Sequence, residues 1–256
     1  MSQDSTEGIP KQLPSEVRQT LRSYLAEVTQ LFGQALDAVI LYGSAAGSEF
    51  LPERSNLNLL ILLAKPETER LAQYAKAHKR WSKERIVVPL FLTWQELQAS
   101  SALFPLEYLE MKDQHVLLAG RDPLPALHID QRNLRLQCEQ EIRGNLLRLR
   151  QRFVEGGGKQ EAILILLPLS FTSLLPSLRG LLRVKGVSVP ATCDGLFDQL
   201  QSLLGIDPAG FREVLSLKRG QSTPGPLEVP RLFDRYVASL EGLIQRVEQL
   251  KAEGKL

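Results

Sequence analysis

The sequence predicts an α+β fold: a small mixed β-sheet with helices, followed by an all-α helical bundle. Two observations lead there. Short apolar runs bounded by turn residues recur through the first half, at Ala38–Tyr42, Leu57–Leu63, Ile86–Leu92 and His115–Leu118. From Asp130 onward such runs vanish, and leucines recur at helical spacing instead. Three segments follow: residues 1–13 as a flexible tail, 14–129 as the sheet-containing domain and 130–256 as the helical bundle.

Taken in order, Pro14-Ser15 opens a helix with Ser15 as N-cap, and Val17, Leu21, Leu25, Val28 and Phe32 form its apolar face. Gly33 ends it. Two strands come next, joined through Gly43-Ser44 and a loop carrying Pro52. Residues 66–84 read as a helix with Pro66 in its first turn and Leu71, Tyr74, Ala75, His78 and Trp81 packing. After the third strand, Thr93 and Glu96 have capping-box spacing. A further helical turn or two spans Pro105–Lys112, and the last short strand ends at Ala119-Gly120.

In the second half, Leu134, Cys138, Ile142, Leu146, Leu149 and Phe153 make one helical stripe, broken at Gly156-Gly157-Gly158. A helix from about Gln160 to Val184 is expected to bend at Pro168 or Pro176. Shorter helices cover Cys193–Leu204 and Ala209–Leu217. Gly220–Pro230 reads as a loop, and Arg231–Lys251 as a final amphipathic helix. Ala162–Leu178 carries no charge and sits at the short end of the range for a spanning helix. Its two prolines and its hydroxyl residues favour a central bundle helix over membrane insertion.

The chemistry-bearing stretch is Gly43-Ser44 after one strand, then Ser55-Asn56-Leu57-Asn58-Leu59 entering the next. Gly43-Ser44 reads either as a phosphate cradle at the carboxyl end of a strand or as a tight turn the fold requires. Strand alternation puts Asn56 and Asn58 on one face, opposite Leu57 and Leu59. They are then either a residual ligand site or polar residues on an exposed face.

These residues resemble the nucleotidyltransferase superfamily of polymerase-beta-like and minimal nucleotidyltransferases. Its pattern is Gly-Ser, a short loop, then Ser-Asp-hydrophobic-Asp-Leu. The resemblance covers about the first half of the chain and implies a nucleotide-binding role for Gly43, Ser44, Asn56 and Asn58. In the family two aspartates hold two magnesium ions, and a third carboxylate comes from a later strand. Here Asn56 and Asn58 replace both aspartates, Ala46 stands where a basic residue is common, and Arg85–Thr93 contains no Asp or Glu. Mg²⁺ requires hard anionic oxygens, and two-metal phosphoryl transfer requires two cations held close together. The resemblance therefore implies a pseudoenzyme: a degenerate site with no catalytic or metal-binding residue assigned.

Three function classes remain. The first is a catalytically impaired binder of a nucleotide or other small anion. The second is an active, Mg²⁺-dependent transferase moving a nucleoside monophosphate to a small-molecule or protein hydroxyl, with Glu49, Glu53 or Glu84 as substitute carboxylates. The third is an interaction protein whose helical half dimerises or takes a helical partner. No cofactor is implied except Mg²⁺ under the second.

The 256 residues carry 31 basic and 29 acidic side chains, for a net charge of +2, which gives no electrostatic case for nucleic acid. Arg132, Arg135, Arg143, Arg148, Arg150 and Arg152 spread around their helix, with Glu139 four residues before Arg143, and read as a solvated, ion-paired face. Arg179, Arg183 and Lys185 meet a helix C-terminus, or an anion. Trp81 and Trp94 read as core or interdomain anchors. Cys138 and Cys193 have no metal-ligand spacing and read as free thiols of a cytoplasmic protein. His78, His115 and His128 show no ligand pattern. The polar first ten residues lack a signal-peptide apolar run.

Overall fold

A computed structural model describes residues 8–47, 50–52 and 55–256. The chain is α+β and divides into two compact units, Met1–Ile129 and Asp130–Leu256.

In the first unit, helix α1 (Ser15–Phe32) precedes strand β1 (Leu36–Tyr42). A 3₁₀ turn, Gly43–Ala46, leads toward β2 (Asn58–Leu63). Helix α2 (Thr68–Trp81), β3 (Leu90–Leu92), α3 (Trp94–Leu103), α4 (Pro105–Asp113) and β4 (His115–Gly120) complete it. The sheet order is β3-β2-β1-β4. β1 is antiparallel to both neighbours, and β2 is parallel to β3.

Alternation explains the layering. Val39 and Leu41 of β1 and Leu57, Leu59, Ile61 and Leu63 along β2 join one buried cluster with Leu21, Tyr24, Leu25, Val28 and Phe32 of α1 and Tyr74 and Trp81 of α2. The opposite side chains Ile40, Leu60 and Leu62 are also buried. Both faces are thus covered, which is why these strands read as continuous apolar runs. The Tyr24 and Tyr74 hydroxyls meet at 2.9 Å within the aromatic part of this core.

Several expectations need correction here. Ser15 is the first helical residue rather than the cap, and Pro14 holds the cap position without a side-chain bond. Pro66 lies outside α2, which begins at Thr68 with Glu67 as its cap, and Ala75 is exposed rather than packed. The third strand is shorter than Ile86–Leu92. Ile86 makes only an isolated bridge to Leu57, and regular pairing starts at Leu90, after Pro89, whose ring has no N–H for the ladder. Residues 8–13 are not a loose tail, because Ile9 and Leu13 belong to the core; residues 1–7 lie outside the described residues. The Thr93–Glu96 capping box is present in full.

The second unit contains α5 (Gln131–Glu155), α6 (Gln160–Val184), α7 (Cys193–Leu204), α8 (Ala209–Lys218) and α9 (Glu228–Ala252). Asp130 caps α5 by accepting from the Arg132 and Asn133 N–H groups. α9 starts at Glu228, earlier than expected, because Pro230 fits a first turn whose N–H groups have no helical partner. Both Pro168 and Pro176 lie inside a single helix, α6. By length and composition α6 is the one helix among the described residues able to cross a membrane. Its Leu167, Phe171, Leu174, Leu178 and Leu181 are buried in the bundle.

The expected Glu139–Arg143 pair is not made. Glu139 instead meets Arg135 at 3.6 Å and Lys251 at 2.9 Å. Arg143 reaches Glu248 and Arg150 reaches Glu241, so these pairs tie α5 to α9 rather than one turn of α5 to the next.

Candidate functional site

β1 ends at Tyr42, and its neighbours fix what surrounds the turn. Tyr42 lies opposite Asn58 in β2 and opposite His115 in β4. Gly43, at a φ of +76°, then turns the chain out of the sheet, a conformation that side chains disfavour. Its N–H donates to the Gln114 carbonyl at 2.9 Å, and the Gly47 N–H closes the turn on the Ser44 carbonyl at 3.2 Å. Ala45, fully buried in the core, anchors the turn from below.

Asn58 approaches this turn closely. A Cβ added to Gly43 would sit 3.2 Å from Asn58 Nδ2. Asn58 is half-buried and begins β2 with its side chain on the face opposite Leu57 and Leu59. Asn56 is exposed just before the strand, ahead of the Leu57–Ile86 bridge. Ser55 has a structural duty: its Oγ accepts the Leu51 N–H at 2.9 Å while its own N–H donates to the Leu51 carbonyl at 2.7 Å. The structure thus brings Gly43, Ser44 and Asn58 together and leaves Asn56 at the solvent edge.

Strand β3 carries no acidic residue. On β3, Leu90 is the partner of Leu60, and Val88, just upstream, is 66% exposed. Glu84 is exposed in the 3₁₀ turn Ser82–Glu84. Glu49 and Glu53 lie outside the described residues. Among the described residues no group of three or more His, Cys, Asp or Glu could hold a metal ion. The donors that remain are the Ser44 hydroxyl and the amides of Asn58 and Asn56. These can hydrogen-bond an anion's oxygens but bring no charge of their own.

Three neighbours of the turn escaped the sequence reading. Gln114 gives its carbonyl to Gly43, and its amide side chain lies against Gly47, where a Cβ would approach its Cδ to 3.4 Å. Tyr42 has its hydroxyl pKa raised, chiefly by burial and secondarily by Tyr108. His115 Nε2 lies 2.9 Å from Asp122 Oδ2 and its Nδ1 2.9 Å from the Lys112 carbonyl, clasping the two ends of β4. Tyr42 adjoins Gly43 in the chain, whereas only the pairing of β4 with β1 brings Gln114 and His115 to the turn, and no local spacing signals it. Of the tryptophans, Trp81 is buried in the core and Trp94 is 36% exposed.

Among solved structures, the chain is similar to spectinomycin adenyltransferase AAD(9) from Enterococcus faecialis, determined with ATP and spectinomycin. The match covers 87% of this chain and 98% of that one, at 13% identity and a TM-score of 0.46. No family model and no curated protein matches the chain. A likeness this distant says nothing about chemistry, which resides in site residues rather than in the fold.

Proposed function

We propose that the Met1–Ile129 unit is a nucleotidyltransferase-like domain that holds a nucleotide or other small anion at Gly43, Ser44, Asn56 and Asn58 without metal-dependent transfer. One observation carries the reading. At the end of β1 the Asn58 amide stands against Gly43, so a neutral carboxamide occupies the position where the resemblance implies a metal-binding carboxylate. The four-stranded mixed sheet, with the Gly-Ser turn at the carboxyl end of β1, supports the same reading. A carboxamide N–H suits a phosphate oxygen, whereas Mg²⁺ loses its water reluctantly and favours anionic ligands. A helical unit that dimerises or takes a helical partner belongs to the same proposal, as does a cytoplasmic location.

The test is calorimetric titration with ATP, GTP, CTP and UTP, in Mg²⁺, in Mn²⁺ and in EDTA, alongside a turnover assay. The expected result is binding in EDTA that Mg²⁺ does not strengthen, with no turnover. Asn58→Asp should then make affinity depend on Mg²⁺. Metal-dependent turnover by the natural chain would refute the impaired reading, and its loss in Glu49→Gln or Glu53→Gln would identify the carboxylates responsible. No binding under any condition would refute the ligand-binding reading.

A further inference from the structure

A cavity of about 440 Å³ opens in the first unit at the other end of β1 from Gly43. Asp37, Leu62, Trp94, Arg121, Asp122, Pro123 and Ala126 line it. This volume falls within the range of small-molecule sites, which are typically apolar with a few placed polar groups. Leu62, Pro123 and Ala126 supply apolar surface, and Trp94 supplies an aromatic ring that is 36% exposed at the first position of α3.

Two opposite charges stand at the rim. The Arg121 N–H donates to the Asp37 carbonyl at 3.3 Å, which fixes the two backbones side by side. Gly120 enforces this approach: its φ is +83°, and a Cβ there would lie 1.9 Å from the Asp37 carbonyl oxygen. Yet the Arg121 guanidinium and the Asp37 carboxylate make no ion pair with each other or with any described residue, and both are exposed. Asp122 is different, since His115 and the Leu124 N–H occupy its two oxygens at 2.9 and 3.0 Å. Among the described residues the cavity therefore offers an uncommitted cation, an uncommitted anion, an aromatic ring and apolar surface.

The geometry points to a binding site for a small zwitterion with a planar apolar ring, of the aromatic amino acid class. The ligand carboxylate meets Arg121, its ammonium meets Asp37, and its ring lies against Trp94 and Leu62. A guanidinium is suited to a carboxylate because its paired N–H groups match the two oxygens. A ring against indole adds apolar burial. A ligand with only one charge leaves the other rim charge unanswered.

The test uses the full chain and three probes: L-phenylalanine, phenylacetate, which lacks the ammonium, and phenethylamine, which lacks the carboxylate. The protein has two tryptophans, and Trp81 is buried against Tyr24. A Trp81→Phe variant thus makes Trp94 the sole fluorescent reporter, and calorimetry on the natural chain gives a readout independent of that variant's folding. L-Phenylalanine should bind saturably and change Trp94 emission. Arg121→Ala, Asp37→Asn and either single-charge probe should each weaken binding at least about tenfold. No saturable binding of L-phenylalanine up to about 10 mM overturns the proposal. So does binding that survives Arg121→Ala, or phenethylamine or phenylacetate binding as tightly as the zwitterion.

Discussion

Gly43, in a 3₁₀ turn, and Gly120, at the end of β4, take the same substitution to alanine at similar positive φ, +76° and +83°. Their surroundings predict different outcomes. Holding alanine in the left-handed region costs about 1–2 kcal/mol at either site. Among the described residues the Cβ added at Gly43 meets only the Asn58 amide, at 3.2 Å, the end of a side chain that can swing a few tenths of an ångström. Gly43→Ala should therefore cost little beyond the backbone term. At Gly120 the Cβ would lie 1.9 Å from the Asp37 carbonyl oxygen and 2.8 Å from the Ala38 Cα. No rotamer relieves a clash with backbone. The end of β4 must instead peel from β1, disturbing the Ala38–Gly120 pairing and losing its flanking Arg121-to-Asp37 hydrogen bond, worth about 1 kcal/mol. Gly120→Ala should thus destabilise by at least about 1 kcal/mol more than Gly43→Ala. Urea unfolding followed by tryptophan fluorescence measures this difference. Both tryptophans lie in the first unit, so the signal reports that unit even if the helical one unfolds separately. Equal midpoints for the two variants would refute the reasoning from backbone contact.

The remaining predictions concern the two cores. Asn145, 3% exposed, donates to the Ser170 carbonyl and the Ser173 hydroxyl and accepts from the Ser170 hydroxyl, which also meets Tyr236. Asn145→Ala removes three hydrogen bonds among buried and half-buried groups and leaves a gap, so thermal unfolding followed by circular dichroism should show a loss of about 2–4 kcal/mol. Tyr74 has its pKa pushed up to about 12 and Tyr24 has its own raised further, in both cases chiefly by burial. A phenol whose folded pKa is raised stays neutral in the fold and ionises first in the unfolded chain. Stability should hold below about pH 10 and fall as the pH rises toward 12, and Tyr74→Phe should flatten that fall. Cys138 is fully buried with its thiol pushed up to about 12 by burial, whereas Cys193 is partly exposed. A thiol reagent at pH 8 should label one cysteine quickly and the second only on unfolding, with Cys193→Ser abolishing the fast phase.

Much of the architecture was legible from local patterning, because helical and strand periodicities are properties of neighbouring residues. The run Leu57–Leu63, the Thr93–Glu96 capping box and the Leu134-to-Phe153 stripe each announce their element within a few residues. Backbone hydrogen-bonding arithmetic was less visible. Pro89 delayed β3, and Pro230 was absorbed into a first helical turn, where no partner for its missing N–H is needed. Charge pairing was misplaced for a similar reason. Glu139 had a candidate partner four residues on, but α9 brought Lys251 nearer.

The sequence by itself determined the two-part α+β organisation, the Gly43-Ser44 turn between two strands and the presence of the neutral amides Asn56 and Asn58 at the start of the second. These are matters of residue identity and short-range spacing. Only the tertiary structure decided which side chains gather at each end of β1. The antiparallel register with β2 sets Asn58 beside Gly43, and the register with β4 brings Gln114 to the same turn. At the far end Gly120 lets Arg121 lie against Asp37, beside Trp94. Residues up to 84 positions apart in the chain become neighbours there through strand pairing, a long-range choice that no local period encodes.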